Sequence, residues 1–449
     1  MIPYRVLASV WVLSVGLSPL RAIGDDLLDI YRLAVQNDPR LMASYQQLQA
    51  TLQTKPAARA LLLPNLAAGA DVSRNRYANK GGPTDLSTDQ TYSLSLSQVL
   101  YNREYWYQLA QTDSAIAQAQ AAYQAAEQDL ALRTAQAYFN VLTARATLAA
   151  VQADKSAIER QLEQAKQRFE VGLIAITDVL EAQARFDQAV ASEIEARNNL
   201  DSAREAVAEI TGQPPGPLAD LGKTLPLLSP EPADSEQWVK TALDQNPDVL
   251  AAQFAVDSAR QEVEIQRSGH YPTVDIVASH SHQDVSFGGV APLTRWDSSI
   301  GVQANLPLYQ GGGVVARTRE AIHRQEEAKD NLVTVNRQTT AQARNSYRDV
   351  LTAISQVNAQ RQAVVSAETA LEATEAGFEV GTRTIVDVLN FQRELYLSRR
   401  DFATSRYDYI LAILALMRSA GSLDEEDIMA VNGWLVGGPT PFVPPAGSP

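Results

Sequence analysis

The sequence contains no cysteine among its 449 residues. This absence excludes disulfides, a thiol nucleophile and a lipid-bearing N-terminal cysteine, so packing and backbone pairing must hold the fold together. Beyond residue 24 the chain also lacks any apolar run of about 18 residues, which excludes a helical membrane span. A membrane barrel stays possible, because barrel strands are short and alternate between apolar and polar residues.

Basic residues are outnumbered by acidic ones. The 38 lysines and arginines stand against 52 aspartates and glutamates, which gives a formal net charge of −14. The basic residues form no stripe or cluster of the kind that nucleic-acid phosphates require. We therefore expect no nucleic-acid partner.

Residues 1–24 have the pattern of a secretory signal peptide. Arg5 gives a short basic start, residues 6–20 are mostly apolar, and Ala22-Ile23-Gly24 supplies small residues before Asp25. A buried N-terminal helix is the alternative interpretation. Cleavage before Asp25 would remove two arginines and no acid, which changes the net charge from −14 to −16.

Glycine and proline are absent from residues 104–169, a segment rich in alanine, glutamine, glutamate and leucine. An uninterrupted helix over this segment would be roughly 100 Å long. Residues 314–378 have the same character and are interrupted only by Gly377. Helices of this length must pack along their sides, and the sequence supplies partners in two predicted return helices, 178–210 and 387–420.

The phrase Phe-Glu-Val-Gly occurs at Phe169–Gly172 and again at Phe378–Gly381, 209 positions later. A fixed internal period predicts two copies of one structural unit. We place repeat 1 at residues 25–212 and repeat 2 at residues 233–421. A proline-rich segment, 213–232, would link them, and the end of the C-terminal segment 422–449 is expected to be disordered.

Alternation of apolar and polar residues predicts two strands in each repeat. The predicted strands are about 63–75, 91–101, 271–282 and 299–308, with turn-rich loops between the members of each pair. Their length of about ten residues suits a tilted outer-membrane strand. Four strands cannot close a barrel, and open edges are not tolerated in lipid, so closure must come from several chains; a trimer would give twelve strands.

Four segments together resemble the TolC family of outer-membrane channels: Val171–Asp178, Glu195–Leu200, Leu308–Gly311 and Val380–Leu389. The resemblance implies a mainly α-helical homotrimer, with a 12-stranded membrane barrel continuous with a long helical periplasmic barrel. It implies a passive exit channel for efflux or type I secretion, located in the outer membrane and needing no cofactor. The implied partners are a periplasmic adaptor and an inner-membrane RND or ABC transporter.

The resemblance also assigns roles to residues at the tips of the helical hairpins. The family's gate contacts and aspartate rings fall on Thr177, Asp178, Phe378, Arg383, Asp387 and Asn390. The adaptor-docking tip falls on Val171, Gly172, Leu173, Val380, Gly381 and Thr382.

Two of these positions depart from the family pattern, which has tyrosine in place of Phe378 and aspartate in place of Asn390. A gate with one hydrogen bond fewer and a single ring of carboxylates is therefore expected. The simpler explanation of Asp178 and Asp387 is that acids near a helix N-terminus interact favourably with its dipole.

Motifs of catalysis are weak or missing. Gly222-Lys223-Thr224 lacks the glycine spacing of a phosphate-binding loop, and no Gly-x-Ser-x-Gly elbow occurs. His280 and His282 share a strand face, but a solvated pair is favoured over a metal site. The chain is therefore not expected to be an enzyme. The main rival to a channel is a coiled-coil trimer that anchors in the outer membrane without conducting.

Overall fold

The computed structural model describes residues 25–78, 84–222, 224–287 and 293–435. The predicted signal peptide and the tail from Gly437 lie outside these residues. The described chain is mainly helical with one four-stranded sheet, which confirms the predicted fold class. Its helices are α1 Leu27–Asn37, α2 Pro39–Leu52, α3 Thr54–Ala60, α4 Arg103–Glu170, α5 Ile176–Thr211, α6 Ser235–Gln245, α7 Pro247–Arg267, α8 Gly313–Glu379, α9 Ile385–Ala420 and α10 Glu425–Asn432; its strands are β1 Asn65–Ala78, β2 Thr84–Tyr101, β3 Thr273–Phe287 and β4 Leu293–Asn305.

The long helices pair as two antiparallel hairpins, α4 with α5 and α8 with α9. Small or branched buried residues recur every seven positions along them. The first set is Ala182, Ala189 and Ala196 on α5, and the second is Ala343, Val350 and Val357 on α8. A seven-residue repeat keeps one seam facing its partner helix, as in a coiled coil. Side-by-side packing therefore stabilises helices that propensity alone would not hold straight.

The strands form one antiparallel sheet in the order β1-β2-β3-β4, with β1 and β4 at its edges. All four strands extend further towards the connecting loops than predicted: β1 and β3 end later, and β2 and β4 begin earlier. The predicted loops were too long, because pairing continues through polar residues. Asn75 lies opposite Ser87, and its side chain donates to Asp89 at 2.8 Å.

The sheet has one apolar and one polar face. Cross-strand pairs such as Leu66 with Leu96 and Ala278 with Ile300 place the apolar residues on the same side. Serines alternate with them on the other side, as in the pair Ser279 and Ser299. Leu66, Val72, Ile300 and Val302 are 65 to 81% exposed in the single chain, so this face has no covering within one chain.

The main hydrophobic cluster lies where the middle of α4 meets α1, α9 and α10. The proline-rich segment 213–232 belongs to this cluster, which its interpretation as a simple linker did not anticipate. Leu218 and Leu221 are buried in it, and the Tyr138 hydroxyl donates to the carbonyl of Ala219 at 2.8 Å. The segment therefore packs across the helices.

Within the described residues, every helix falls short of the length and apolar character needed to cross a membrane.

Candidate gate at the helical tip

Each hairpin reverses direction at a glycine in the left-handed conformation. Gly172 has φ 75° and Gly381 has φ 77°, where a side chain would be strained. The next residue closes each turn, because Leu173 N–H donates to the Arg168 carbonyl at 2.9 Å and Thr382 N–H donates to the Gly377 carbonyl at 2.8 Å. These are Schellman turns, and the predicted tip residues lie on them.

The two turns project apolar side chains into solvent. Val171, Leu173 and Val380 are 69, 73 and 75% exposed. The described part of the chain leaves most of each of these three side chains uncovered. Thr382 differs from its counterpart Leu173, since its hydroxyl donates back to the Gly377 carbonyl at 3.0 Å.

The return helices begin differently. Thr384 caps α9: its hydroxyl accepts from Asp387 N–H, while the Asp387 carboxylate accepts from the N–H and hydroxyl of Thr384 at 2.9 and 2.8 Å. These hydrogen bonds, the backbone one first, lower the pKa of Asp387. Helix α5 begins after Ala175, which has no side chain that can cap. Asp178 therefore lacks the reciprocal bond that holds Asp387.

Gly377 makes room for Arg383. A Cβ atom at Gly377 would lie 2.8 Å from Cγ of Arg383 and 3.2 Å from the Thr382 hydroxyl. The glycine that interrupts the predicted helix therefore lets Arg383 fold back across the last turn of α8. The equivalent position in the first hairpin, 209 residues earlier, is Arg168.

A cavity of about 460 Å³ separates the two hairpins near their tips. Asp178, Phe378 and Arg383 line it, so the structure brings three of the predicted gate residues together. The Arg168 guanidinium lies over the Phe378 ring, 5.9 Å from its centroid. Such a contact is worth about 0.5–1 kcal/mol at an exposed site.

The other three predicted gate residues are not among those that line this cavity. Thr177 is exposed in the first turn of α5, and Asp387 is held in its capping box. Asn390 lines a second cavity of about 430 Å³, further along α9, with Asp154 and Arg393. Burial raises the pKa of Asp154, and Arg393 acts against that shift.

Comparison with known proteins identifies the family to which this chain belongs. The sequence model described as outer membrane efflux protein matches residues 30–213 and 238–422. The TolC outer membrane protein of Vibrio cholerae is 38% identical over 416 residues, which cover 92% of this chain and 94% of that protein. The chain belongs to the outer membrane efflux protein family.

Other relatives of this efflux protein include the alkaline protease secretion protein AprF of Pseudomonas aeruginosa. It is 32% identical over 446 residues, covering 96% of this chain and 92% of AprF. Among solved structures, the CmeC outer membrane channel of Campylobacter jejuni has a TM-score of 0.76 at 18% identity, covering 92% of this chain and 90% of that one. The fold is therefore shared even where the sequence has diverged.

Sequence reasoning missed two arginines at the tip of the efflux protein. Arg168 contacts Phe378, and Arg185 lines both cavities, where it pairs with Glu181 at 2.9 Å. The signal that could have revealed Arg168 is its place directly before Phe-Glu-Val-Gly, where the second copy has Gly377. No comparable signal marks Arg185, since a pair four residues apart on a helix is common on solvated faces.

Proposed function

We propose that this efflux protein forms a homotrimeric exit duct in the outer membrane, serving a tripartite efflux pump or a type I secretion system. Relatives that cover almost the whole chain are named as an outer membrane protein and a protease secretion protein. The duct is passive: an inner-membrane RND or ABC transporter supplies the energy, and a periplasmic adaptor connects that transporter to the duct. Export would require the predicted signal peptide.

The sheet carries this proposal. It has two unpaired edges, β1 and β4, and one uncovered apolar face. Lipid does not tolerate open edges, so the sheet must pair with copies of itself, and three copies give twelve strands. The polar face then lines the interior. Helix α4, with 68 residues, extends from the sheet by roughly 100 Å.

The gate is proposed at the narrow end of the helices. Arg383, Asp178 and Phe378 surround the cavity between the hairpins, so a change in hairpin separation would change their contacts. Asp387 would form a ring of three carboxylates in the trimer, and such rings attract cations. Thr177 and Asn390 complete the proposed set, the latter as an uncharged second ring.

The tip surface, Val171–Leu173 with Val380–Thr382, is proposed to contact the adaptor. Its apolar residues are exposed, and the turns that carry them are fixed by backbone hydrogen bonds. A fixed backbone with exposed apolar side chains suits binding to an adaptor that contacts the end of the helical barrel.

Single-channel conductance of the purified trimer in a planar bilayer tests the proposal, with wild type beside Asp387→Asn. The substitution keeps an oxygen that can accept from Thr384 but removes three charges from the trimer. We expect small, cation-selective conductance in the wild type and a loss of selectivity in the variant. Asp201→Asn, an exposed acid on α5 away from the tip, is the matched control and should behave as wild type.

Folded, inserted wild-type trimers that never conduct would favour the rival, a coiled-coil anchor. If wild type and Asp387→Asn conduct with the same cation selectivity, the protein is a duct, but Asp387 does not form the selective ring.

A further inference from the structure

Two arginines stand on the apolar face of the sheet at its loop end. Arg74 and Arg76 follow Val72 on β1 at alternate positions, so all three point to the same side. Arg74 lies opposite Thr88 and Arg76 opposite Leu86, both on the same face of β2. Both arginines are exposed. At about 3.4 Å per residue they lie about 7 Å apart along the strand.

Towards the loops the apolar part of the face is followed by a row of rings, and beyond that row come Val72, then Arg74 and Arg76, with Leu86 opposite Arg76. Leu66 and Leu96 pair within the apolar part, and Ala70 pairs with Tyr92 one level higher. Tyr92, His282 and Trp296 form a row of rings across the strands, the last two with centroids 4.2 Å apart. Arg74 lies about 14 Å along the strand beyond the level of this row. Amphipathic rings mark a membrane interface, so the arginines lie on the headgroup side of that interface.

No carboxylate neutralises the two arginines among the described residues, where neither forms an ion pair. The one described acid on this face near the loops is Asp284, on β3. It accepts from Thr294 at 2.6 Å and contacts His282 at 3.2 Å. It lies two strands from β1, about 10 Å away. The other charged pair nearby, Arg295 with Asp297 at 2.7 Å, is on the opposite, polar face.

We propose that Arg74 and Arg76 bind the phosphate groups of a phosphorylated membrane lipid whose acyl chains cover the apolar face. The inference rests on the proposed outer-membrane placement of the sheet. Guanidinium groups match phosphate in geometry and charge. The apolar part of the face, directly below the arginines, supplies the contact that a free phosphate ion cannot use. A flat strand also offers no enclosure for a small anion, so lipid is the occupant.

The test uses trimers of the full chain inserted into phosphatidylethanolamine vesicles that contain lipid A with both phosphates, or dephosphorylated lipid A. Lipid retained after detergent extraction is measured by native mass spectrometry. Wild type should retain the phosphorylated form preferentially. Arg74→Gln and Arg76→Gln should each weaken retention about fivefold, since a basic residue near anionic headgroups contributes about that factor. Raised salt should reduce the preference.

Arg295→Gln is the matched control, because it removes an arginine of the same sheet from the polar face, and it should retain lipid as wild type does. Arg74→Lys with Arg76→Lys keeps the charges and should restore most retention. Equal retention of both lipid forms by wild type, or unchanged retention in the double glutamine variant, would overturn the proposal. So would full competition by inorganic phosphate. Failure of wild type itself to insert would instead refute the outer-membrane placement.

Discussion

The two hairpin tips share a turn and differ in what surrounds it. Both have Phe-Glu-Val-Gly, a left-handed glycine and the same closing hydrogen bonds. Yet Asp387 is tied to Thr384, whereas Asp178 follows Ala175 and has no cap to join. Gly377 leaves space for Arg383 to pack across the end of α8. The residue equivalent to Gly377 in the first hairpin is Arg168, whose guanidinium contacts the Phe378 ring.

The repeated motif thus determines the backbone of both turns, whereas a few flanking residues determine which hydrogen bonds the aspartate of each hairpin makes. In the second hairpin the carboxylate stabilises its own helix. In the first, the carboxylate faces the cavity between the hairpins and is available to a neighbouring element. The first hairpin therefore contributes an acid without a capping partner to this cavity, and the second hairpin contributes an arginine.

The largest effect is expected from Gly377→Ala. The new Cβ would meet Arg383 at 2.8 Å, and overpacking of this kind costs about 1–3 kcal/mol, against a gain of about 1 kcal/mol in helix propensity. Arg383 would leave the cavity, and resting conductance in a planar bilayer should rise. The same substitution in an Arg383→Ala background should have little further effect. A rise of equal size in both backgrounds would contradict the contact.

Removing the N-cap of α9 and adding one to α5 should reverse the difference in stability between the first turns of these two helices. Thr384→Ala removes the capping hydroxyl and should destabilise the first turn of α9 by about 1 kcal/mol, whereas Ala175→Thr should stabilise the first turn of α5 by a similar amount. Hydrogen–deuterium exchange of peptides from each turn measures both. Ala175→Thr should also lower the availability of Asp178. Unchanged exchange in both variants would show that tip contacts, not caps, hold these turns.

Much of this architecture follows from the sequence, and the misses have physical causes. Residues 104–169 predicted a helix that spans Arg103–Glu170, because nothing in the segment opposes helix formation. The strands were predicted too short, because polar residues near Gly81-Gly82-Pro83 look like a loop until a partner strand is placed beside them. The burial of Leu218 depends on helices distant in sequence, which no local pattern reveals.

The candidate site was foreseen unevenly for the same reason. Thr384 and Asp387 stand three residues apart, a spacing from which the capping box could have been inferred. Asp178, Phe378 and Arg383 line one cavity only because the two hairpins pack against each other, and this tertiary packing cannot be inferred from local sequence. Residue types at the tip could thus be predicted, but which of them meet could not.

A smaller effect is expected from Phe378→Tyr. The added hydroxyl would enter the cavity that Asp178 lines, and a hydrogen bond there is worth about 0.5–1.5 kcal/mol. Resting conductance should therefore fall. Phe169→Tyr is the matched control, because it places a hydroxyl at the equivalent position of the first hairpin, where the ring is 40% exposed. Equal conductance in wild type and Phe378→Tyr would mean that no such bond forms.

The smallest effect is expected from Asn390→Asp, which would give the second hairpin an acid where the first has Glu181. Glu181 is paired with Arg185 at 2.9 Å, while Asn390 shares its cavity with Arg393. An added carboxylate would be partly neutralised by Arg393, so block by a trivalent cation should tighten only about fivefold, the factor expected for one charge pair in water. Glu181→Gln should leave the block unchanged. If Asn390→Asp leaves it unchanged as well, position 390 does not face the ion path, and any aspartate ring in this channel is Asp387 alone.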